Sequence, residues 1–372
     1  MKKRVLLVFG TRPEAIKMCP IVKELKKRNG LDIKLCATGQ HKEMLMQVLD
    51  VFGEEPDYNL KVMRKVQNLS DTTTLLLGKM SKLLQEIKPD IVLVHGDTLS
   101  AFVTALACYY ARIPVAHVEA GLRTYDIMSP YPEEFNRQAV DAISWLMFAP
   151  TGLAAENLKR EGRKAENIFV TGNTVIDALS TTISNQYKSE LLDWAGDDRL
   201  ILLTAHRREN IGSAMENIFR AVKTIVNEIM GIKVVYPVHL NPEVKSIADS
   251  ILKEDERIRL IEPLDVVDFH NLMNRAYVIV TDSGGIQEEA PALGKPVLVV
   301  RDTTERPEGV EAGTLKLVGT ERQNIERELR KILEDEQEYL KMAKAVNPYG
   351  DGHASEKIAD VLERRLGVGN AG

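Results

Sequence analysis

Cysteine is scarce: Cys19, Cys36 and Cys108 are the only three in 372 residues, far apart and among apolar neighbours. That pattern excludes a disulfide framework and a Cys-x-x-Cys metal site, and the three read as buried thiols. Long apolar runs are also missing. None approaches the roughly 20 residues that span a bilayer. Val5 to Gly10, behind Lys2, Lys3 and Arg4, is too short for a signal-peptide core. The expectation is a cytoplasmic protein that enters no membrane. A net charge of −5 with both signs mixed along the chain argues against a nucleic-acid partner. No Gly-x-Gly-x-x-Gly follows any candidate strand, and no Gly-x-x-x-x-Gly-Lys-Ser/Thr loop occurs. Bound nicotinamide and ATP or GTP hydrolysis are therefore not expected.

What is present is ordinary globular usage, 44% hydrophobic and 28% charged, enough for about two domains. Short β-branched runs, Arg4 to Phe9, Ile33 to Thr38, Ile91 to His95, Val115 to Val118 and Leu146 to Ala149, alternate with helical patterns at Ala15 to Arg28, Thr72 to Ile87 and Ser100 to Ala111. This is the rhythm of a parallel sheet covered on both faces. After Ile168 to Thr171 and the Gly172-Asn173-Thr174 turn, the pattern restarts with Leu200 to Thr204, Val234 to Val238, Ile258 to Ile261, Val278 to Thr281 and Val297 to Val300. The expected architecture is α/β: two Rossmann-like domains facing across a cleft, 1–172 and 173–349. Beyond the turn-rich Asn347 to Gly352, a final helix from Ala354 to Arg365 would cross back, so that 350–372 joins the first domain.

Ligands of open parallel sheets bind beyond the carboxyl ends of the strands, and those positions are polar here. The first strand leads into Gly10-Thr11-Arg12-Pro13-Glu14, where small residues admit a ligand and Arg12 stands at a helix start that favours phosphate. A tight turn with a solvated arginine is the plain alternative. Asp97 in His95-Gly96-Asp97-Thr98 and Glu119 in His117-Val118-Glu119 each follow an apolar strand, and Glu133 sits where Pro130-Tyr131-Pro132 enters a helix. Three acids in one cleft would repel one another and raise at least one pKa into the range useful for proton transfer; helix capping is the alternative for any one of them. The i, i+2 pairs His95/Asp97 and His117/Glu119 raise the question of a metal. No His-x-x-x-His or cysteine ligand accompanies them, so buried histidines bonded to backbone, and no metal, are expected.

In the second half, Thr204 to Asn210 and Thr281 to Glu289 again follow strands. The Ser283-Gly284-Gly285 turn opens a helix suited to a diphosphate, Glu289 stands about two turns along, and Arg301 to Pro307 adds a polar strand end. Two such domains without a dinucleotide or P-loop fingerprint point to a nucleotide-sugar cleft.

Phe9 to Ile16, His95 to Thr98, His117 to Thr124, Pro130 to Arg137, His206 to Asn210, Ser283 to Glu289 and Thr303 to Pro307, in order over almost the whole chain, resemble the motifs of the non-hydrolysing UDP-N-acetylglucosamine 2-epimerases. The resemblance implies a GT-B architecture, a homodimer, no added cofactor, and interconversion of UDP-GlcNAc and UDP-ManNAc for cell-surface polysaccharides. It implies Asp97, Glu119 and Glu133 as the acid/base set with His206 beside the phosphates. Arg12, Ser283, Gly284, Gly285 and Arg306 would hold the diphosphate, Glu289 the ribose and Phe269 the uracil, with His239 lining the cleft. A second, activating UDP-GlcNAc would touch Gln40, Glu43, Glu134 or Arg137, and Arg208, although Glu43 replaces a glutamine of some regulated members. The rival readings are a GT-B glycosyltransferase using a UDP-sugar, a hydrolysing 2-epimerase, a non-catalytic sugar-nucleotide sensor and a metallohydrolase.

Overall fold

The computed structural model describes residues 2–39, 42–62 and 68–368, with the backbone alone for 42–44. The described residues divide into two compact units, one of residues 1–178 and 349–372 and the other of 179–348.

The first unit is built on seven strands: β1 (Lys3–Phe9), β2 (Leu31–Ala37), β3 (Tyr58–Asn59), β4 (Ile91–His95), β5 (Val115–Val118), β6 (Leu146–Ala149) and β7 (Ile168–Val170). All neighbours pair in parallel, in the order β3-β2-β1-β4-β5-β6-β7. The second holds β8 (Arg199–Thr204), β9 (Ile232–Pro237), β10 (Ile258–Ile261), β11 (Val278–Thr281), β12 (Val297–Val299) and β13 (Leu315–Leu317), ordered β10-β9-β8-β11-β12-β13. Central strands read as unbroken apolar runs because helices cover both faces: Ile91 to Val94 and Val278 to Val280 are all fully buried. The expected class is therefore present in duplicate. The sequence reading missed β3 and β13.

In each unit the chain reverses its direction of winding at one place, between β1 and β4 and between β8 and β11. At such a point the two flanking loops diverge and leave a crevice at the carboxyl ends of the strands. The crevice of the first unit collects the loops that begin at Gly10 and Gly96; that of the second collects those that begin at Ala205 and Asp282.

The unit boundary lies inside the Thr174–Thr182 helix, later than the glycine turn suggested. The closing segment is stitched to the first unit: Asn173 N–H donates to Tyr349 O at 2.7 Å, and Tyr349 is 1% exposed. Asp177 accepts from the Ser355 and Ala354 amides at 2.7 and 3.2 Å, satisfying free N–H groups at the start of the Ala354–Leu366 helix. Arg28 then pairs with Asp360 and Glu363 on that helix at 2.9 and 3.0 Å. The helix thus returns to the first unit as expected.

Candidate active site

The loop after β1 is shaped by a buried carboxylate. Thr11 caps the Arg12–Lys26 helix, and Glu14 closes the capping box. Glu14 Oε2 accepts from the Thr11 and Gly10 amides at 2.8 and 3.0 Å, while Thr98 Oγ1 donates to Oε1 at 2.7 Å, joining this loop to the one after β4. Burial pushes the Glu14 carboxyl up despite these donors. A Cβ at Gly10 would stand 2.3 Å from both Ser100 Oγ and Thr38 Oγ1, which is why the position is glycine. Arg12 is left half-buried at the first helical position, beside amides and a dipole end that favour an anion.

Asp97 and Glu119 leave the neighbouring strands β4 and β5. The repulsion expected among the acids is not what the structure shows, because each of these two lies against its own cation. The Arg137 guanidinium grips Asp97 Oδ2, its Nε donating at 3.1 Å, and Asn136 Nδ2 holds the Asp97 carbonyl at 2.9 Å. Lys17 Nζ donates to Glu119 Oε2 at 2.5 Å and Asn173 Nδ2 to the same oxygen at 2.9 Å. Glu119 has φ +66, a left-handed conformation that costs a side-chain-bearing residue about 1 kcal/mol or more and that collects at functional sites. The buried His95 Nε2 lies 3.7 Å from the same carboxylate oxygen, and burial lowers that ring to about 3, so it is neutral. Glu133 is half-buried in the first turn of the Glu133–Ile143 helix and has no hydrogen-bond or ion-pair partner among the described residues.

Glu134, expected at an effector site, lies inside the fold with 0% exposure. It accepts from Tyr125 N–H at 3.1 Å, Gln138 Nε2 at 2.7 Å and Arg137 Nη1 at 2.8 Å. Arg137 is shared between Glu134 and Asp97. Arg208 is exposed, and Gln40 and the side chain of Glu43 lie outside the described residues. His117 and Glu119 do not share one face: the His117 ring is fully buried against Asp141 and the Gly96 carbonyl. Among the described residues no group of three or more His, Cys, Asp or Glu could hold a metal ion. The three cysteines are free and buried, and burial pushes each thiol up to about 12.

In the second unit, Asp282 at the end of β11 organises the loop after β8. Its Oδ2 accepts from the His206 and Arg207 amides at 2.9 Å each and from Asn210 Nδ2 at 3.1 Å, while Oδ1 faces His206 Nδ1 at 3.1 Å. Burial alone would raise this carboxyl, but the His206 ring and the amide donors outweigh it and hold it below the usual range. The opposite face of His206 is stacked on His239, with centroids 5.6 Å apart. His239 is exposed and also lines a cavity of about 480 Å³ with Lys245 and Arg259.

Ser283, Gly284 and Gly285 lead into the Ile286–Ala292 helix; a Cβ on Gly284 would meet Glu305 Oε1 at 2.9 Å. Arg306 packs its guanidinium against the buried Glu288. Glu289 faces His270 Nε2 at 3.3 Å, and His270 Nδ1 is held by Thr182 Oγ1 at 2.7 Å. Phe269, half-buried, adjoins His270. Sequence reasoning missed Lys17, Asn173 and Asp282 as partners of the site. Asp282 carried a signal, an acid directly after an apolar strand; Lys17 and Asn173 carried none.

The sequence matches the family model described as UDP-N-acetylglucosamine 2-epimerase over residues 23–363. The UDP-N-acetylglucosamine 2-epimerase of Bacillus subtilis is 56% identical over 363 residues, covering 97% of this chain and 96% of that protein. The crystal structure of UDP-GlcNAc 2-epimerase from Neisseria meningitidis bound to UDP-GlcNAc is similar with a TM-score of 0.89 at 46% identity, covering 97% of this chain and 100% of that one. That of the Methanocaldococcus jannaschii enzyme in complex with UDP-GlcNAc and UDP gives 0.79 at 35% identity, covering 97% and 99%. A family match over residues 23–363, with such identity over nearly the whole length, settles the kinship: this chain belongs to the UDP-N-acetylglucosamine 2-epimerase family.

Proposed function

We propose that this epimerase inverts C2 of UDP-GlcNAc to give UDP-ManNAc by eliminating UDP and adding it back. The C2 hydrogen is not adjacent to a carbonyl, so enolisation is closed, and elimination needs no hydride acceptor. A carboxylate takes the C2 proton, the C1–O bond breaks, and UDP departs with the bonding pair to leave 2-acetamidoglucal. UDP then returns to C1 while a second acid delivers a proton to the other face of C2. The route calls for acid/base groups on both faces and for neutralisation of the departing diphosphate.

Asp97, Glu119 and Glu133 of the first unit supply the proton-moving groups in this reading. The observation that carries it is Glu119, held at φ +66 with its carboxylate fixed by Lys17 and Asn173. Such strain persists only where surrounding contacts over-determine it. Arg12, Ser283, Gly284, Gly285 and Arg306 take the diphosphate, Glu289 the ribose and Phe269 the uracil. His206, oriented by Asp282, donates toward the leaving oxygen, with His239 stacked behind it. The relatives solved with UDP-GlcNAc, and with UDP-GlcNAc and UDP, support the choice of ligand. A homodimer in the cytoplasm and activation by a second UDP-GlcNAc near Gln40, Glu43, Arg137 and Arg208 complete the proposal, as does a role in making ManNAc-type sugars for cell-surface polysaccharides.

The test is incubation with UDP-GlcNAc in deuterated water, followed by proton NMR. Deuterium at C2 together with UDP-ManNAc is the expected result. Epimerisation without label would refute the elimination, and an unchanged sugar would favour a transferase.

A further inference from the structure

The Glu133–Ile143 helix does more than carry Glu133. Its Asn136 and Arg137 hold the Asp97 backbone and carboxylate. One turn further, Asp141 is completely buried, and it reaches both strand-end loops of the proposed acid set. Asp141 Oδ1 lies 2.6 Å from His117 Nδ1, and His117 Nε2 lies 2.8 Å from the carbonyl of Gly96, the residue before Asp97. Asp141 Oδ2 accepts from the Gly121 amide at 3.1 Å, two residues beyond Glu119, and meets Arg123 Nη2 at 2.8 Å.

The partners fix the charges. A carbonyl only accepts, so His117 Nε2 must donate to Gly96. Asp141 already takes the Gly121 amide and the Arg123 guanidinium, and burial, which would raise its carboxyl, is outweighed by His117 and Arg123, which hold it low. Nδ1 faces the Asp141 carboxylate, so the ring bridges Asp141 and the Gly96 carbonyl through its two nitrogens. Arg123 is closed off by Glu161 at 2.6 and 2.7 Å. The Asp141 carboxylate is thus held between the His117 ring, the Gly121 amide and the Arg123 guanidinium.

We infer that Asp141 is a positioning residue for the epimerisation: through the His117 ring and the Gly121 amide it clamps the two loops that place Asp97 and Glu119. This inference rests on the proposed roles of those two acids. Glu119 has φ +66, a conformation that costs a side-chain-bearing residue and would relax if its loop were released. Gly121 is further pinned by Asn157 Nδ2 on its carbonyl at 3.0 Å. Because its contacts go to the Gly121 amide, His117 and Arg123, Asp141 sets where the acids stand from inside the fold.

The test is Asp141→Asn. An asparagine can still accept from Gly121, and its amide can donate to His117 Nδ1, so the hydrogen bonds can be kept and the chain can fold. The charge-assisted hold is lost. The expected result is a kcat reduced by about ten- to a hundred-fold, the scale of a misplaced reacting group, with UDP affinity by calorimetry within about twofold of wild type. His117→Gln, which cannot donate to both Gly96 and Asp141, is expected to do the same. A kcat per folded protein within about twofold of wild type in Asp141→Asn would overturn the inference. Failure of both variants to fold would assign the cluster to stability alone and overturn it too. If Asp97→Asn and Glu119→Gln keep their turnover, the reading of the acids fails instead; if they lose it while Asp141→Asn does not, only this inference falls.

Discussion

Lys17 Nζ stands 2.5 Å from Glu119 Oε2, in a setting where the two side chains are only 16% and 11% exposed. An ion pair this far from water is held by its geometry and by the Asn173 amide on the same oxygen. It also orients the carboxylate on which the proposed chemistry depends.

Removing one partner of such a pair leaves the other charge poorly solvated, a far larger loss than that of a surface ion pair. Lys17→Met should therefore lower stability by about 2 to 3 kcal/mol in urea unfolding. It should also cut kcat by more than about tenfold, because an unpaired Glu119 takes up a proton more readily. A variant with unchanged urea midpoint and unchanged kcat would show that the pair does not form in solution.

Gly121 and Gly78 should respond to alanine in opposite directions. At Gly121 φ is +87 and a Cβ would lie 2.2 Å from the backbone carbonyl oxygen of Ala154, so neither torsion nor space admits a methyl group. Gly121→Ala should cost about 3 kcal/mol or more. At Gly78, inside the Leu69–Ile87 helix, a Cβ meets nothing within 4 Å. Gly78→Ala should stabilise by about 0.5 to 1 kcal/mol. Thermal melts of both variants check the contrast, and a loss at Gly78 would mean that something covers that helix face.

The strand ends explain how much of this was legible. Asp97, Glu119, His206 and Ser283 could be found because each follows an apolar run, and topology reserves that place for ligands. Their partners could not be found that way. Lys17 is 102 residues from Glu119, and Arg137 is 40 from Asp97. Those contacts exist because β4 inserts between β1 and β5, an order that no local pattern states. The same limit explains why the acids were expected to repel: three carboxylates are visible in a sequence, whereas the cations that meet Asp97 and Glu119 come from helices elsewhere. β3 was missed because two residues carry no period, and β13 because Leu315-Lys316-Leu317 is too short to stand out beside its helices.

Asp282 gives stability a definite pH dependence. Its folded-state pKa lies below the ordinary value, so its contribution is fully present above the unfolded-state pKa of about 3.9 and is lost as pH falls through the lower folded value. Asp282→Asn leaves one oxygen for the His206 and Arg207 amides and the Asn210 side chain, and removes the anion facing the His206 ring. It should cost about 1 to 3 kcal/mol at about pH 7. The gap should narrow in urea titrations as pH falls below about 4, where the unfolded chain takes up the proton before the folded protein does. A gap that stays constant across that window would place the stabilisation in shape rather than in charge.

The sharpest separation of roles is between Asp97 and Glu119 on one side and Arg12 on the other. Asp97→Asn still offers Arg137 an acceptor, and Glu119→Gln still offers one to Lys17 and Asn173, so both variants retain most of the local hydrogen bonding. Neither can exchange a proton with C2. Turnover should fall by about 10³-fold or more, at the upper end of what general acid–base groups contribute. UDP affinity by calorimetry should stay within about threefold, since neither carboxylate is assigned to the diphosphate. Arg12→Ala removes a cation at a helix start and should weaken UDP binding by about tenfold, the scale of one charge-assisted contact, with kcat less affected. Should all three variants instead lose folded protein to the same degree, with normal turnover in what remains folded, Asp97 and Glu119 would be loop braces and the proton donors would have to be sought elsewhere in the chain.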